Sequence, residues 1–324
     1  MVAAILGPTA SGKSTLGIAL ARRFGGEIVC CDSTAVYKGF DIGTDKVPPA
    51  DQQGIPHHLV DFVPPEVEYT AADYARDAMT AIEDIHRRGR LPIVVGGTGF
   101  YYRALVRGLF PGPARDHALR RRLEAIATRR GAERLHRLLA RVDPPSAARI
   151  QARDLVRVVR ALEVYFVSGR PLTDHFAQTR APLEGWSVAA LAVAPAWPEI
   201  TARIAVRVDA QFARGIVDEV RRALAAGVPP TARPFTGYVY RRVLEHVRGE
   251  RDEAATRELI VQENRHYARR QLIWFRKEPN LVWIHRAGEL DGTIEEAGRS
   301  LLARLPSMSA APSTSESAAH GPRI

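Results

Sequence analysis

The segment Gly7-Pro8-Thr9-Ala10-Ser11-Gly12-Lys13-Ser14 fits the pattern G-x-x-x-x-G-K-S. It follows an apolar run at residues 2–6 and precedes an amphipathic run at 15–24, so we predict a strand, a loop and a helix in that order. Glycines let backbone N–H groups surround a phosphate, the helix N-terminus adds positive potential, and the lysine adds a charge. The Ser14 hydroxyl can reach Mg²⁺. The pattern therefore predicts a phosphate-binding loop without specifying the phosphate compound.

Two further apolar runs, at residues 27–31 and 91–95, predict strands, and an amphipathic stretch at 71–88 predicts a helix between them. Strands that alternate with helices indicate an α/β fold, with a parallel sheet flanked by helices on both faces as in P-loop NTPases. Ligands of such sheets bind beyond the carboxyl ends of the strands. Asp32 and Thr98 each follow a predicted strand, which places them on the same edge as the loop.

The middle of the chain, residues 113–186, has a helical and basic pattern with turn signals at Asp143-Pro144-Pro145 and Gly169-Arg170-Pro171. We predict an inserted all-helical basic lobe there. It would separate the two parts of the α/β core, residues 1–112 and 187–305.

The second part of the core is predicted to contain strands and helices in the same alternation. The predicted strands are at 188–193 and 282–284, and the predicted helices at 200–226, 240–248 and 253–276. Residues 306–324 are rich in Ser, Ala and Pro and are expected to form a disordered tail.

The charge of the chain is unevenly distributed. The 324 residues include 46 basic and 36 acidic side chains, a net charge of +10. Between Arg103 and Arg180 there are 17 arginines and 7 acidic residues, so this segment alone carries +10. A localised basic segment is typical of proteins that bind nucleic acid, although an arginine-rich solvated helix face would have the same composition.

Several classes of protein are excluded by composition. No apolar stretch approaches the roughly 20 residues that cross a bilayer, which excludes a membrane-spanning role. The only cysteines, Cys30 and Cys31, are adjacent, so they form neither a disulfide framework nor a zinc-ligand set, and we expect reduced thiols at a strand end. The first residues lack the basic segment of a secretory signal, so we expect a cytoplasmic location.

Asp32 is the first candidate for chemistry beyond the loop. A carboxylate at a strand end can hold a metal, accept a proton from a nucleophile or cap a helix, and the sequence leaves the three roles open. The strand at 91–95 ends in Gly96-Gly97-Thr98, where many P-loop hydrolases carry a metal-binding Asp, and this argues against a generic NTPase. The hydroxyls of Thr98 and Tyr101 are placed where they could orient a substrate, although Gly-Gly-Thr after a strand is equally compatible with a plain turn.

Several ordered motifs resemble the tRNA dimethylallyltransferase family over about residues 2–285. They are the segment at 7–14, Asp32-Ser33-Thr34, Tyr37-Lys38-Gly39, Asp41-Ile42-Gly43-Thr44, Gly96-Gly97-Thr98 with Tyr101, Arg160-Ala161-Leu162-Glu163-Val164, Gly237-Tyr238, Arg269-Arg270-Gln271 and Trp274-Phe275-Arg276. The resemblance implies transfer of a dimethylallyl group from dimethylallyl diphosphate to N6 of the adenosine 3′-adjacent to the tRNA anticodon, position 37, with release of diphosphate. It also implies that the loop binds this diphosphate instead of ATP. The chain has no Cys/His finger after the core, so it resembles the bacterial form.

The same resemblance implies roles for individual residues. Asp32 would accept the proton of the attacking amine, and Thr98 would contact the target base. The residues implied to bind diphosphate are Gly7, Pro8, Thr9, Ala10, Ser11, Gly12, Lys13, Ser14, Thr15 and Arg207, with Mg²⁺ at Ser14. Those implied to contact the anticodon stem-loop are Asp32, Ser33, Thr34, Ala35, Thr98, Arg120, Val156, Arg157, Val158, Val159, Arg160, Gly237, Tyr238, Arg265, Arg269, Arg270 and Arg276. From the residues alone, Arg207 could equally be a solvated helix charge, and Trp274 could be core or a stacking platform.

The chain departs from the family pattern at two places, where Val239 replaces a commonly basic residue and Val156 a commonly polar one. We therefore expect the contact at Val239 to be lost or shifted, and any base contact at Val156 to be in doubt. Three other functions stay open: an isopentenyltransferase for free adenine nucleotides, a P-loop kinase for a small hydroxyl compound, and a non-catalytic RNA-binding protein. The first would not need the basic lobe, and the last would have no use for Lys13 together with Asp32. We expect a monomer.

Overall fold

A computed structural model describes residues 1–304 of the chain. Its centre is a six-stranded, all-parallel sheet in the order β3-β2-β4-β1-β5-β6. The strands are β1 (Val2–Leu6), β2 (Gly26–Cys31), β3 (His57–His58), β4 (Leu91–Gly96), β5 (Val188–Val193) and β6 (Leu281–Ile284). The α/β fold with a parallel sheet flanked by helices, predicted from the sequence, is confirmed.

Thirteen helices accompany the sheet in the described part of the chain. They are α1 (Lys13–Phe24), α2 (Ala71–Arg87), α3 (Gly99–Arg107), α4 (His117–Arg130), α5 (Ala132–Val142), α6 (Pro144–Arg149), α7 (Leu155–Ser168), α8 (Leu172–Phe176), α9 (Trp197–Ala213), α10 (Ile216–Ala225), α11 (Tyr238–Val247), α12 (Glu253–Phe275) and α13 (Asp291–Leu302). Short 3-10 helices occur at Pro49–Gln52 and Arg233–Thr236.

The sheet is buried on both faces because successive side chains of a strand point to opposite sides. In β1, Val2, Ala4 and Leu6 join a core that includes residues of α2 and α3. Ala3 and Ile5 point the other way, into a core that includes residues of α1 and α13.

The register of the strands brings the chemically important segments together. Leu6 of β1 pairs with Gly96 of β4 and Ala192 of β5, and Cys31 of β2 also pairs with Gly96. The next residues of these strands therefore emerge side by side at the carboxyl edge of the sheet. This confirms that the loop, Asp32 and Thr98 lie on one edge.

Helices α4 to α8 form the inserted helical lobe, which has its own hydrophobic core. Leu135, Leu139, Val158 and Leu162 are fully buried there. The exact limits predicted for the lobe and the two core segments stay predictions. The predicted tail at 306–324 lies outside the described residues.

Three details differ from the sequence-based expectation. The helix predicted at 200–226 is two helices. Gly215 adopts φ +87°, a left-handed conformation that interrupts the helix between α9 and α10. Strand β3 has only two residues, too few for a periodic signal, and α13 was not predicted. No helix among residues 1–304 combines the length and apolar character required to traverse a membrane.

Candidate active site

A cavity of about 700 Å³ opens at the carboxyl edge of the sheet. Its walls include the phosphate loop, which we define as residues 7–14, the end of β2, and side chains of α9, α11 and α12. Lys13, Ser14, Asp32, Arg207 and Tyr238 all line it. Residues far apart in the sequence therefore meet at one site.

The phosphate loop is held in shape by contacts from later parts of the chain. Gly12 adopts φ +82°, and a Cβ there would lie 2.7 Å from the backbone N of Gly288, so no larger residue fits without rearrangement. The N–H of Gly288 donates to the carbonyl oxygen of Ser11 at 2.9 Å. The turn after β6 thus packs against the phosphate loop.

Lys13 lies half-buried at the start of α1, and its Nζ donates to the carbonyl oxygen of Pro8 at 3.1 Å. Burial, and to a smaller extent the positive charge of Arg207, lower the pKa of Lys13 to about 8, against the opposing effect of Asp32. A lysine whose charge costs free energy in the ligand-free protein has a strong electrostatic preference for an anion at this place.

Arg207 reaches the phosphate loop from α9. Its Nη1 donates to Thr9 Oγ1 at 2.9 Å and lies 3.3 Å from Asp45 Oδ2. One turn earlier, Arg203 Nη1 donates to the carbonyl oxygen of Ala10 at 3.4 Å. The structure thus favours the loop-contacting interpretation of Arg207 over a solvated helix charge, while its diphosphate contact stays a prediction.

Asp32 and Thr98 are linked through the turn after β2. Asp32 Oδ1 accepts from the Thr34 N–H at 2.8 Å, from Thr34 Oγ1 at 2.6 Å and from the Ala35 N–H at 3.3 Å. Thr98 Oγ1 accepts from the Ser33 N–H at 3.0 Å. Asp32 Oδ2 has no hydrogen-bond partner within residues 1–304. One carboxylate oxygen therefore orders the turn, and the other is free to act as a base or a metal ligand.

Sequence reasoning missed several cavity residues on α12. Asn264, Tyr267 and Gln271 recur at helical spacing and all line the cavity. Burial raises the pKa of Tyr267, and the charge of nearby Asp32 raises it further, so the phenol stays protonated as a hydrogen-bond donor. The polar stripe at i, i+3 and i+7 was the signal that could have identified them.

The chain is similar to known proteins over most of its length. A protein-family profile described as IPP transferase matches residues 35–278. A tRNA dimethylallyltransferase of Solibacter usitatus is 47% identical over 285 residues, which cover 88% of this chain and 92% of that protein. The one from Anaeromyxobacter dehalogenans is 49% identical, with 86% and 93% covered. The chain belongs to the IPP transferase family.

Solved structures of similar proteins support the assignment. A full-length tRNA isopentenylpyrophosphate transferase from Bacillus halodurans has a TM-score of 0.70 and 32% identity, and the match covers 94% of this chain and 96% of that one. A eukaryotic dimethylallyltransferase described as acting on tRNA has a TM-score of 0.75 and 28% identity, with 93% and 77% covered. The family resemblance inferred from the motifs is confirmed.

The arginines of α12, and Arg276 directly after it, which the tRNA dimethylallyltransferase resemblance assigns to tRNA, are exposed but do not form one cluster. Arg270 donates to Tyr238 Oη at 2.8 Å, next to the cavity. Arg269 lies 5.0 Å from the centre of the Trp197 ring, and Arg276 lines a separate groove with Trp197. For Arg265, Arg269 and Arg276, no acidic side chain among residues 1–304 lies within ion-pair distance. Their charge is therefore available to a polyanion.

The RNA contacts predicted for α7 need correction. Val156 is 72% exposed, but Val158 and Val159 are buried in the core of the helical lobe and do not present their side chains to a ligand. Arg157 is exposed, whereas Arg160 binds Glu163 at 2.7 Å and the carbonyl oxygen of Pro113 at 3.0 Å. The cause is the helical phase, since neighbouring residues of a helix face different directions.

Arg120 is half-buried on α4. Ala35, whose N–H donates to Asp32 Oδ1, is buried. Gly237 and Tyr238 line the cavity at the start of α11. Their tRNA contacts stay predictions.

Two further residues of the family motifs serve packing. Val239 is buried in the core formed by α10 and α11, and the nearby Arg241 and Arg242 both bind Glu263. Trp274 packs closely on Gly99 and lies 4.3 Å from the guanidinium of Arg103. Of the two interpretations of Trp274, the structure favours the core one.

Proposed function

We propose that this protein transfers a dimethylallyl group from dimethylallyl diphosphate to N6 of adenosine 37 of tRNA and releases diphosphate. The observation that carries the proposal is one cavity lined by the phosphate loop with Lys13, by Asp32 and by Tyr238. One oxygen of Asp32 has no hydrogen-bond partner among residues 1–304, and the hydroxyl of Tyr238 accepts from the exposed Arg270. The names of the family relatives support the same reaction.

The chemistry follows from the positions of the side chains. The N6–C bond forms as the allylic C–O bond breaks, the electron pair leaves with diphosphate, and one N6 proton passes to Asp32 Oδ2. Lys13 and the loop N–H groups would stabilise the charge on the departing diphosphate. Because an adenine amine is a weak nucleophile, much of the rate must come from holding it against the allylic carbon, which the Ser33 and Thr98 turn would do.

Mg²⁺ is part of the proposal. Among residues 1–304 no group of three or more His, Cys, Asp or Glu side chains could hold a metal alone. Mg²⁺ often binds through one or two protein oxygens, phosphate oxygens and water, and the Ser14 hydroxyl supplies such an oxygen to the cavity. The donor set therefore fits Mg²⁺ that arrives with diphosphate. When bound, the ion would neutralise charge on the leaving group.

The helical lobe and α12 support tRNA as the acceptor. The adenosine must leave the stacked anticodon loop to reach a cavity, and contacts to the surrounding phosphates can offset that cost. The proposal places the enzyme in the cytoplasm, where tRNA is found. It also includes a monomeric state, because Lys13, Asp32 and Arg207 of a single chain line the same cavity.

A transfer assay tests the function. Purified protein receives Mg²⁺ and labelled dimethylallyl diphosphate, with unmodified tRNA in one tube and AMP with ATP in another. We expect label in tRNA alone. Label in the nucleotide alone would assign the protein to the transferases of free adenine nucleotides, and no label in either tube would favour the kinase.

The affinity for diphosphate is expected to depend on pH through Lys13. Its pKa is about 8 in the ligand-free protein, and the anion binds the protonated form, so affinity is highest below pH 8 and falls as the pH rises. Between pH 8.0 and 9.5 the Kd of inorganic diphosphate should rise ~15-fold from this group, because the protonated fraction of Lys13 falls from about one half to about 3%.

Isothermal titration calorimetry of the parent and the Lys13→Arg variant measures the Kd of inorganic diphosphate at each pH. Arginine stays charged throughout, so the ratio of the two Kd values removes the titration of diphosphate itself. A ratio that does not change with pH would contradict the expectation.

A further inference from the structure

Gln271 joins two segments that the proposed reaction must hold at a fixed separation. It lies on α12, is only 6% exposed, and is more than 170 residues from either partner. Its Oε1 accepts from the Thr9 N–H at 2.9 Å, and its Nε2 donates to the carbonyl oxygen of Gly97 at 2.9 Å. Both functional groups of one amide are thus used, one on each segment.

Each segment belongs to a different substrate site. Thr9 is in the phosphate loop, and its hydroxyl also binds Arg207. Gly97 directly precedes Thr98, which holds the turn that carries Asp32 and Ser33. Gln271 therefore connects, through one side chain, the diphosphate side of the cavity with the side assigned to the acceptor base.

Gly97 makes this connection possible. A Cβ at this residue would lie 2.3 Å from Gln271 Nε2 and 3.1 Å from the carbonyl oxygen of Gly7. A side chain at residue 97 would displace the Gln271 amide from this position. The close approach of Gln271, Gly97 and the phosphate loop therefore requires glycine at residue 97.

We propose that Gln271 is a positioning residue that sets the distance between the phosphate loop and the turn holding the acceptor base. The inference rests on the proposed function and adds to it a residue that touches neither reacting atom. Displacement of reacting groups by about 1 Å can lower a rate by about 10²-fold without abolishing binding. Loss of Gln271 should therefore affect the chemical step much more than the affinity for either substrate.

The test replaces Gln271 by Met, which has similar length and volume but can form neither hydrogen bond. Single-turnover transfer with both substrates saturating is compared with the separate Kd values for inorganic diphosphate and an anticodon stem-loop. We expect a rate ~30-fold lower and Kd values within about threefold of the parent. Gln262→Met is the matched control, since Gln262 is exposed on the same helix, and it should behave as the parent does.

A second variant distinguishes a positioning role of Gln271 from a role in stabilising the fold alone. Gln271→Glu can reproduce both hydrogen bonds only when protonated, because the ionised carboxylate cannot donate to Gly97. The ratio of its single-turnover rate to that of the parent should therefore increase as the pH falls, in protein whose thermal unfolding shows it to be folded.

The outcomes separate clearly. A Met variant that retains a rate within threefold of the parent, or that loses both affinities in proportion to the rate, overturns the positioning role, as does a Glu-to-parent ratio that is flat with pH. A parent protein that transfers no label to tRNA overturns the proposed function, and with it this inference.

Discussion

Replacing Lys13 by alanine is expected to lower kcat/KM for dimethylallyl diphosphate about 10³-fold while the Kd for tRNA changes little. The side chain lies at the phosphate loop, where its charge would stabilise the diphosphate both bound and departing. Lys13 lines the cavity at the phosphate loop, whereas the arginines of α12 that are assigned to RNA are not among the residues that line it. The substitution should therefore affect the use of dimethylallyl diphosphate and leave the affinity for tRNA nearly unchanged.

Steady-state kinetics with varied dimethylallyl diphosphate, together with filter binding of tRNA, measures both effects. Lys38→Ala is the matched control, because Lys38 is exposed and is not part of the cavity wall, so its activity should stay close to that of the parent. An equal loss of affinity for both substrates in the Lys13 variant would contradict the assignment of the loop to diphosphate.

Asp32→Asn is expected to slow the chemical step about 10³-fold with little change in the binding of either substrate. Asparagine retains an oxygen that can accept from the Thr34 and Ala35 N–H groups, so the turn should keep its shape. It replaces Oδ2 by an amide nitrogen, which cannot accept a proton. The change therefore separates the structural function of Asp32 from the chemical one.

Single-turnover transfer and the Kd values of both substrates measure the effect. Asp218→Asn provides the control, since Asp218 is an exposed residue of α10 that pairs only with Arg221 in the described part of the chain. A rate for the Asp32 variant within about threefold of the parent would show that another group receives the N6 proton.

Much of the fold could be predicted from the sequence because the signals are local. The glycine-lysine-serine segment, the apolar strands and the residue after each strand are all contiguous, and the parallel order then brings their ends together. The strand predicted at 188–193 is found at Val188–Val193, and the loop, Asp32 and Thr98 share one edge as expected.

The remaining features depend on tertiary contacts that local pattern does not encode. The run Leu155-Val156-Arg157-Val158-Val159 is apolar in several directions, so only the position of the lobe core decides that Val156 is exposed and Val158 is buried. The contact of Gln271 with Thr9 joins residues 262 positions apart, and nothing near either residue signals it. The break at Gly215 is a single glycine within a long helical pattern.

The closure of the phosphate loop has a consequence for synthesis of the chain. The loop is translated long before Arg203, Gln271 and Gly288, which contact it in the folded chain. Since domains are made from the N-terminus onwards, the early part of a nascent chain exposes this motif before its supports exist. The phosphate loop therefore gains its last supporting contact only after Gly288 has been translated.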